Sequence, residues 1–235
     1  KDGTEFFSGE FLEILKEINR CVSESDDSLE GNLCYFHHSS EFNGSPPDPR
    51  RSHKRRNFYR ALTGKSSLLE VGFNAGHSAL LALSINKNIK YTGIDIFSNK
   101  YTQKCGEIMK AAFGDRFDLI NGDSRDILPR IATHDRDLSF DIIHVDGGHG
   151  ANVCRADLSN GLRLASSGIT HILMDDTAHR WIRDVLNEFV SRKMLRIDSM
   201  DGSWEKEENL LLEIVPLEKN TPRVGKKYRR AVVYA

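Results

Sequence analysis

The chain has 235 residues, 39% of them hydrophobic and 29% charged, and its formal net charge is −1, from 33 Lys and Arg against 34 Asp and Glu. This length accommodates one α/β domain with an extension, and the charge balance excludes a general electrostatic case for nucleic acid or an anionic membrane. No apolar stretch approaches the roughly 20 residues of a bilayer-spanning helix. Four scattered cysteines without a Cys-x-x-Cys pair indicate reduced thiols and a cytoplasmic location, although the chain begins at Lys1, so a preceding leader stays open.

The N-terminal residues predict a helix. Over residues 5–20, apolar side chains recur at helical spacing at Phe7, Phe11, Ile14, Leu15 and Ile18. The apolar face of this amphipathic helix would pack on the core, over an active site or against a sister subunit, so a homo-oligomer through this helix is one expectation. Residues 22–50, which include a proline-rich run at 46–49, predict a long loop or lid.

Basic residues cluster at two places in the chain. One run, which leads into a predicted helical segment at 57–62, consists of Arg50, Arg51, His53, Lys54, Arg55 and Arg56, and the other consists of Lys226, Lys227, Arg229 and Arg230. Neither run is interleaved with the aromatic residues that stack on bases, so we predict solvated basic faces. A solvated pair is also expected at His37 and His38. The predicted division is an N-terminal helical extension and lid at 1–62 and a second unit at 63–235.

A regular alternation of short apolar runs and helical patterns begins at residue 67. We predict strands at 67–71, 89–95, 117–121, 140–145 and 169–174, and helices at 76–86, 98–113, 124–132, 151–165 and 178–193. Runs at 194–199 and 208–215 flank the turn signal Asp201-Gly202-Ser203 and predict a C-terminal antiparallel hairpin. The expected fold is a Rossmann-like, doubly wound α/β domain with a mostly parallel seven-stranded sheet. The carboxyl ends of parallel strands meet at one edge of such a sheet, where ligands bind.

The first predicted strand runs into a glycine loop with the pattern Glu-x-Gly-x-x-x-Gly, formed by Glu70, Gly72 and Gly76. A dinucleotide-binding loop has a further glycine that lets pyrophosphate approach the helix, and Asn74 stands in that place. The acidic Glu70 suits a ligand that carries an ammonium group rather than phosphates. The pattern is typical of methyltransferases that bind S-adenosylmethionine (SAM), although a purely structural turn would use similar glycines.

Polar residues follow the next two predicted strands. Asp95 ends the second strand, where a carboxylate accepts hydrogen bonds from both ribose hydroxyls in other nucleotide-binding folds. Asp123 and Ser124 follow the third strand, where a polar pair is positioned to hold the adenine amino group. Together with the glycine loop, these strand ends predict a SAM site.

Three more carboxylates follow the fourth and fifth predicted strands, at Asp146, Asp175 and Asp176. Because converging carboxylates repel one another, a cation is the simple explanation. A set of oxygen ligands suits Mg²⁺, which would acidify and orient an acceptor hydroxyl. The simpler interpretation is that Asp146 only borders the cofactor and that Asp175 or Asp176 caps the following helix. His179 is a further candidate ligand, although it is more simply a residue of the first helical turn.

Residues 67–177, about half of the chain, resemble the Mg²⁺-dependent catechol O-methyltransferase group and its relatives that methylate natural products. The loop Leu69-Glu70-Val71-Gly72-Phe73-Asn74-Ala75-Gly76-His77-Ser78-Ala79 is similar to that group's Leu-Glu-Leu-Gly-(three residues)-Gly-Tyr-Ser-Ala. The resemblance implies contacts to the methionine part of SAM from Glu70, Asn74 and Ser78. It also implies that Asp95 and Ser124 hold ribose and adenine.

The same resemblance implies a metal site and a base. Asp146 matches the family's metal-binding Asp after strand four, and Asp175-Asp176 match its Asp-Asn pair after strand five. His149 stands where the family has a lysine that serves as general base. Two departures matter here, because Asp at 176 adds negative charge and because histidine at 149 has an ordinary pKa near 6.5, which lets it accept a proton at neutral pH.

The leading hypothesis is SAM-dependent methyl transfer to a hydroxyl of a small molecule, with Mg²⁺ on Asp146, Asp175 and Asp176 and with His149 removing the proton. A second hypothesis dispenses with the metal, so that His149 alone acts as base toward an oxygen or a nitrogen. A third is a nucleic-acid-binding methyltransferase or a non-catalytic binding module. The sequence Asp-Gly-Gly-His at 146–149 disfavours it, because enzymes that methylate base amines commonly have an Asn-Pro-Pro-Tyr type of tetrapeptide there. We therefore expect a small-molecule partner and no membrane association.

Overall fold

A seven-stranded sheet forms the centre of the computed structural model, which describes residues 7–30, 32–35, 47–134, 138–166, 171–197 and 210–215. The strands are β1 (Ser67–Val71), β2 (Lys90–Asp95), β3 (Phe117–Asn121), β4 (Ile142–Val145), β5 (His171–Met174), β6 (Leu195–Ile197) and β7 (Leu210–Ile214). Their spatial order is β3-β2-β1-β4-β5-β7-β6. Strands β1 to β5 are parallel, and β7 runs antiparallel to both β5 and β6. The predicted Rossmann-like fold with a C-terminal antiparallel pair is confirmed.

Seven α-helices cover the two faces of the sheet in the described part of the chain. They are α1 (Gly9–Glu24), α2 (Ser52–Leu62), α3 (His77–Ile85), α4 (Thr102–Phe113), α5 (Ser124–His134), α6 (Ala151–Leu164) and α7 (Arg180–Ser191). One apolar core lies between the helices α1, α2, α3 and α4 and one face of the sheet, which contributes residues such as Leu68 and Tyr91. A second core joins α5 to α7 to residues such as Leu69 and Ile143. Consecutive residues of β1 thus face opposite layers, as the pleat of a strand requires.

Helix α1 begins four residues later than predicted because Ser8 caps it, accepting a hydrogen bond from the Phe11 amide at 3.2 Å. Its apolar face, which includes Phe11, Leu15 and Ile18, is buried in the same core as α3 and α4. This face therefore packs within its own chain, and self-association through α1 stays a prediction.

Part of the segment 22–50, which was predicted to be a loop or lid, belongs to helix α1 and to the apolar core. Helix α1 continues to Glu24, and further along the chain Leu29 and the segment 33–35 are buried in the core rather than laid over the surface. The amide of Asp48 donates to the carbonyl of Cys34 at 2.7 Å, which brings both ends of the intervening segment together. Residue 31 and residues 36–46, with His37 and His38, lie outside the described residues.

The first basic run is not a uniformly solvated face, so that prediction was wrong at two positions. Lys54 and Arg55 are buried, because α2 places Lys54 one turn before the core residue Phe58. The Arg55 guanidinium donates from Nη1 to the carbonyls of Leu33 and Asp48, both at 3.0 Å. The second run, at 226–230, and the predicted turn at 201–203 lie outside the described residues.

Among the described residues, no helix is both long enough and apolar enough to cross a bilayer.

Candidate cofactor and acceptor site

The parallel strands end in register at one edge of the sheet. The hydrogen bonds between neighbouring strands continue one residue past the strand ends. The amide of Gly72 donates to the Ile94 carbonyl, that of Asp146 to the Val71 carbonyl, and that of Asp175 to the Val145 carbonyl. Because the ladders end together, the loops that follow β1, β2, β4 and β5 leave the sheet side by side. This is the edge at which open α/β sheets bind ligands.

A cavity of about 440 Å³ lies along this edge. It is lined by all but one of the predicted site residues, namely Gly72, Asn74, Gly76, Ser78, Asp95, Asp123, Ser124, Asp146, His149, Asp175 and Asp176. The N-terminal extension contributes Glu30, Asn32, Leu33 and Lys54 to the same wall. The predicted residues therefore surround one space, with the exception of Glu70.

The glycines of the loop are required by close contacts. Gly72 has φ +92°, and a Cβ there would lie 2.0 Å from the backbone oxygen of Asp146. Gly76 has φ +84° and precedes α3, and a Cβ there would lie 2.5 Å from the Phe73 ring. A side chain at either position would collide with its neighbours in a backbone conformation that disfavours side chains.

Asp95 organises the glycine loop from the end of β2. Its Oδ2 accepts hydrogen bonds from the amides of Phe73 and Asn74 at 2.9 and 2.8 Å, and its Oδ1 accepts one from the Phe97 amide at 2.7 Å. Asn74 has φ +54°, and its side-chain oxygen accepts a hydrogen bond from the Tyr101 hydroxyl. Since the loop amides already bond to a carboxylate, they are not offered to a pyrophosphate, in agreement with the missing second glycine.

Asp123 and Ser124 are held by partners at the end of β3. Arg125 forms an ion pair with Asp123 at 2.5 Å, and hydrogen bonds from Arg125 lower the pKa of the Asp123 carboxyl to about 2. Ser124 donates from Oγ to Asp157 Oδ1 at 2.6 Å. Asp157 is buried on α6, which raises the pKa of its carboxyl to about 6. The pair predicted at the adenine end is thus fixed in place by α5 and α6.

Glu70 is the predicted site residue that does not reach the cavity. Its side chain is fully buried within the sheet, where it accepts a hydrogen bond from the Tyr91 hydroxyl and lies 2.5 Å from His144 Nδ1. Burial lowers the pKa of His144, but the hydrogen bond and charge of Glu70 raise it more, to about 9. Glu70 thus supports His144 within the sheet, and its contact with the methionine part of SAM stays a prediction.

Two of the three predicted metal ligands converge. Oxygens of Asp146 and Asp175 and a ring nitrogen of His144 lie within 4.8 Å of one another. We call these three residues the acidic centre. Lys54 reaches it from α2, with Nζ 2.7 Å from Asp175 Oδ1. Burial and the charge of Asp175 raise the pKa of the Asp146 carboxyl well above its usual range.

Asp176 does not join the acidic centre. Its backbone has φ +57°, and its Oδ2 lies 2.8 Å from His149 Nε2. That hydrogen bond, followed by the charge of Asp176, raises the pKa of His149, although burial opposes the shift. The backbone oxygen of His149 accepts a hydrogen bond from Trp181 Nε1 at 2.7 Å, which secures the loop that carries the imidazole. The predicted metal set of Asp146, Asp175 and Asp176 is therefore divided, with a lysine on one part and a histidine on the other.

Residues 69–177 match a family model described as a methyltransferase domain. This stretch, slightly under half of the chain, is similar to methyltransferase domains. The match covers the strand ends discussed above, whereas Lys54, in the first turn of α2, precedes it. No curated protein matches the chain in sequence. The predicted resemblance to class I SAM-dependent methyltransferases is confirmed at the level of this domain and of its fold.

Solved structures with the same fold support the match. TomG, an O-methyltransferase from Streptomyces achromogenes in complex with SAM, is 16% identical, with a TM-score of 0.60 over 87% of this chain and 90% of that one. An O-methyltransferase from Bacillus cereus in complex with SAH is 16% identical, with a TM-score of 0.55 over 87% and 100%. The methyltransferase PaMTH1 from Podospora anserina, bound to SAH, is 15% identical, with a TM-score of 0.56 over 90% and 89%. At these identities the likeness shows the fold.

Two charged residues beside the cavity, Lys54 and His144, were not anticipated. Lys54 carried a helical signal, because it stands four and seven residues before Phe58 and Ala61 on the buried face of α2. His144 stands in a fully buried stretch of β4, where a polar residue needs a partner. Neither signal says which carboxylate the side chain meets, so the two contacts became visible only in the folded chain.

Proposed function

We propose that the protein transfers a methyl group from SAM to a hydroxyl group of a small-molecule acceptor. The observation that carries the proposal is a single cavity lined both by the strand ends Asp95 and Asp123 and by the His149–Asp176 pair. The nucleoside part of SAM and the general base His149 would therefore face the same cavity. The names of TomG and the Bacillus cereus protein, both O-methyltransferases, support an oxygen acceptor.

The cofactor half of the proposal assigns a partner to each part of SAM. Asp95 would accept hydrogen bonds from the ribose hydroxyls, for which its oxygens keep additional lone pairs beside the loop amides. The remaining assignments are Asp123 and Ser124 for adenine and Asn74 and Ser78 for the methionine part. The glycine loop lets these groups approach the backbone.

The acceptor half rests on His149. When bound, SAM supplies a methyl group on a positively charged sulfur. With Nε2–H donated to Asp176, His149 presents Nδ1 as the nitrogen that takes the acceptor's proton while the oxygen bonds to the methyl carbon and the carbon–sulfur bond breaks. The products are a methyl ether, S-adenosylhomocysteine and a protonated His149. Asp176 both orients the imidazole and stabilises its charged form.

The Mg²⁺ site predicted on Asp146, Asp175 and Asp176 does not fit this arrangement. Asp176 is engaged by His149, and the ammonium group of Lys54 lies at hydrogen-bond distance from Asp175. We therefore propose the metal-independent form of the reaction, with no step assigned to a divalent ion. A small-molecule acceptor and a cytoplasmic location stay predictions, and buried Lys54 and Arg55 leave less basic surface for nucleic acid.

A two-stage experiment tests the proposal. Calorimetry should first detect binding of S-adenosylhomocysteine to the full chain, and the purified protein should then be incubated with methyl-labelled SAM and a panel of phenols, catechols, sugars and amines. Label in an alkali-stable methyl ether, absent with His149→Ala, is the expected result. Label only on amines would show that the acceptor atom is nitrogen, and label on RNA or DNA would favour an enzyme that acts on nucleic acid. A protein that does not bind S-adenosylhomocysteine would overturn the proposed methyl transfer.

A further inference from the structure

The acidic centre already contains a cation that belongs to the chain. Lys54 Nζ lies 2.7 Å from Asp175 Oδ1, and the side chains of these two residues are only 8% and 5% exposed. The Asp175 carboxylate is buried beside the half-buried Asp146, and this pair needs a compensating charge, because a charge removed from water is costly without a partner. An ammonium group at this distance provides that charge.

The lysine is delivered by a fixed element. It extends from α2, where Phe58, one turn further on, packs edge-on against the His144 ring with 5.2 Å between ring centroids. His144 is in turn held by Glu70 at 2.5 Å. The helix that carries the ammonium group is therefore held by contacts in the centre of the sheet. Lys54 is itself buried, unlike a surface lysine that samples many rotamers.

A divalent ion and this ammonium group compete for one place. An ion bound to Asp146 and Asp175 would be placed within a few ångströms of Lys54, where like charges repel strongly in a region shielded from water. The carboxylate that would complete an all-oxygen set, Asp176, is 2.8 Å from His149 instead. The donor set that remains, two carboxylates and an imidazole, differs from the oxygen ligands that Mg²⁺ prefers.

From this geometry we infer that Lys54 is the resident cation of the acidic centre, which excludes divalent metal from the site and makes the protein metal-independent. The ammonium group balances the charge of Asp175 beside the acceptor half of the cavity, and Lys54 itself lines that cavity. The N-terminal extension thus supplies a functional charge to the methyltransferase domain. The inference concerns the site of the proposed methyl transfer, but its main test measures metal binding and does not require that function.

Removing the ammonium group should expose a metal site. Mn²⁺ binding to the full chain is measured by electron paramagnetic resonance for the wild type and for Lys54→Ala, which leaves room beside Asp175. We expect wild-type binding to be weak and the variant to bind at least about tenfold more tightly, because a like charge is gone. The double variant Lys54→Ala/Asp175→Asn should lose the gain. Lys110→Ala, which breaks a surface pair with Asp118 at 2.9 Å, is the matched control and should behave as wild type.

A wild type that binds Mn²⁺ as tightly as Lys54→Ala, and loses that binding in Asp175→Asn, would overturn the inference. If Lys54→Ala does not fold, two measurements decide instead. The melting temperature of the wild type should be unchanged by Mn²⁺ or EDTA, and Lys54→Met/Asp175→Asn should be more stable than Lys54→Met alone, since both charges of the pair are removed together. A wild-type melting temperature that rises with Mn²⁺ contradicts the inference. Binding of S-adenosylhomocysteine, measured in parallel, reports separately on the proposed function.

Discussion

The two ends of the cavity are built by different means. At the cofactor end, formed by β1, β2 and β3, the backbone sets the geometry: glycines pass against neighbouring chain, and Asp95 collects the amides of the loop. At the acceptor end, formed by β4 and β5, charges set it: Lys54 is paired with Asp175, and His149 with Asp176. The backbone geometry of the glycine loop can be recognised from the spacing of its residues in the sequence. The ion pairs cannot, because they join residues that are far apart in the sequence. The cofactor end should therefore fail through distortion and the acceptor end through charge.

The largest effect is expected from Gly72→Ala at the cofactor end. The new Cβ would lie 2.0 Å from the Asp146 oxygen, so the loop or the end of β4 must move, at a cost of about 3 kcal/mol or more in the free energy of unfolding. Urea denaturation measures this cost. Gly64→Ala is the control, because Gly64 also has positive φ but nothing within 4 Å, and it should lose only roughly 1 kcal/mol. Equal losses in the two variants would mean that close approach at Gly72 is unimportant.

Acid should also destabilise the cofactor end, through His77 at the start of α3. His77 is buried, with Nε2 3.0 Å from Asn19 Oδ1, and burial lowers its pKa to about 4. Below about pH 6.5, His77 binds a proton in the unfolded chain but not in the folded chain. Stability is therefore lost as the pH falls from 6.5 toward 4. The contribution is at most roughly 3 kcal/mol, at 1.36 kcal/mol per pKa unit.

The measurement for His77 is a comparison between variants, because Asp157, with a pKa of about 6, has the opposite pH dependence in the same range. Denaturation of wild type and His77→Gln between pH 4 and 7 isolates the histidine. The stability difference between them should shift toward the variant as the pH falls. A difference that does not change with pH contradicts a neutral, buried His77.

Binding of S-adenosylhomocysteine should separate the two ends. Asp95→Ala removes the proposed ribose acceptor and the support of the loop, so we expect affinity to fall about 100-fold by calorimetry, as for the loss of one or two hydrogen bonds to a charged group. Asp118→Ala, which changes an exposed carboxylate of β3, is the control. Comparable losses in both variants would point to a general charge effect instead of a ribose contact.

The smallest expected effect is a pKa shift at the acceptor end. Because the hydrogen bond that His149 donates to Asp176 raises the pKa of His149, Asp176→Asn should lower this pKa, and the rising limb of any methyl-transfer pH profile should move to lower pH. Histidine titration by NMR measures the shift without an acceptor. Asp184→Asn, an exposed residue of α7 paired with Arg180, should leave His149 unchanged. A His149 titration that ignores Asp176 would remove the pair from the mechanism.

How far the sequence reaches follows the same division. Strand ends, the glycine loop and the residues Asp95, Asp123 and Asp146 were predictable, because local spacing and a parallel sheet bring them to one edge. The direction of Glu70 was not, because the loop pattern does not tell which face of β1 a side chain takes, and its partner His144 is 74 residues away. Lys54 was assigned to solvent because its partner Asp175 lies 121 residues further along the chain.

The contacts of Arg55 and Cys34 have a consequence for how this protein can change. One guanidinium donates to the carbonyls of Leu33 and Asp48, and the Asp48 amide donates to the Cys34 carbonyl, so these two points of the chain are joined directly. Adding residues between two joined points costs little, since the entropic cost of closing a chain segment grows only slowly with its length. We therefore expect insertions between these two anchored ends to leave the stability of the sheet nearly unchanged.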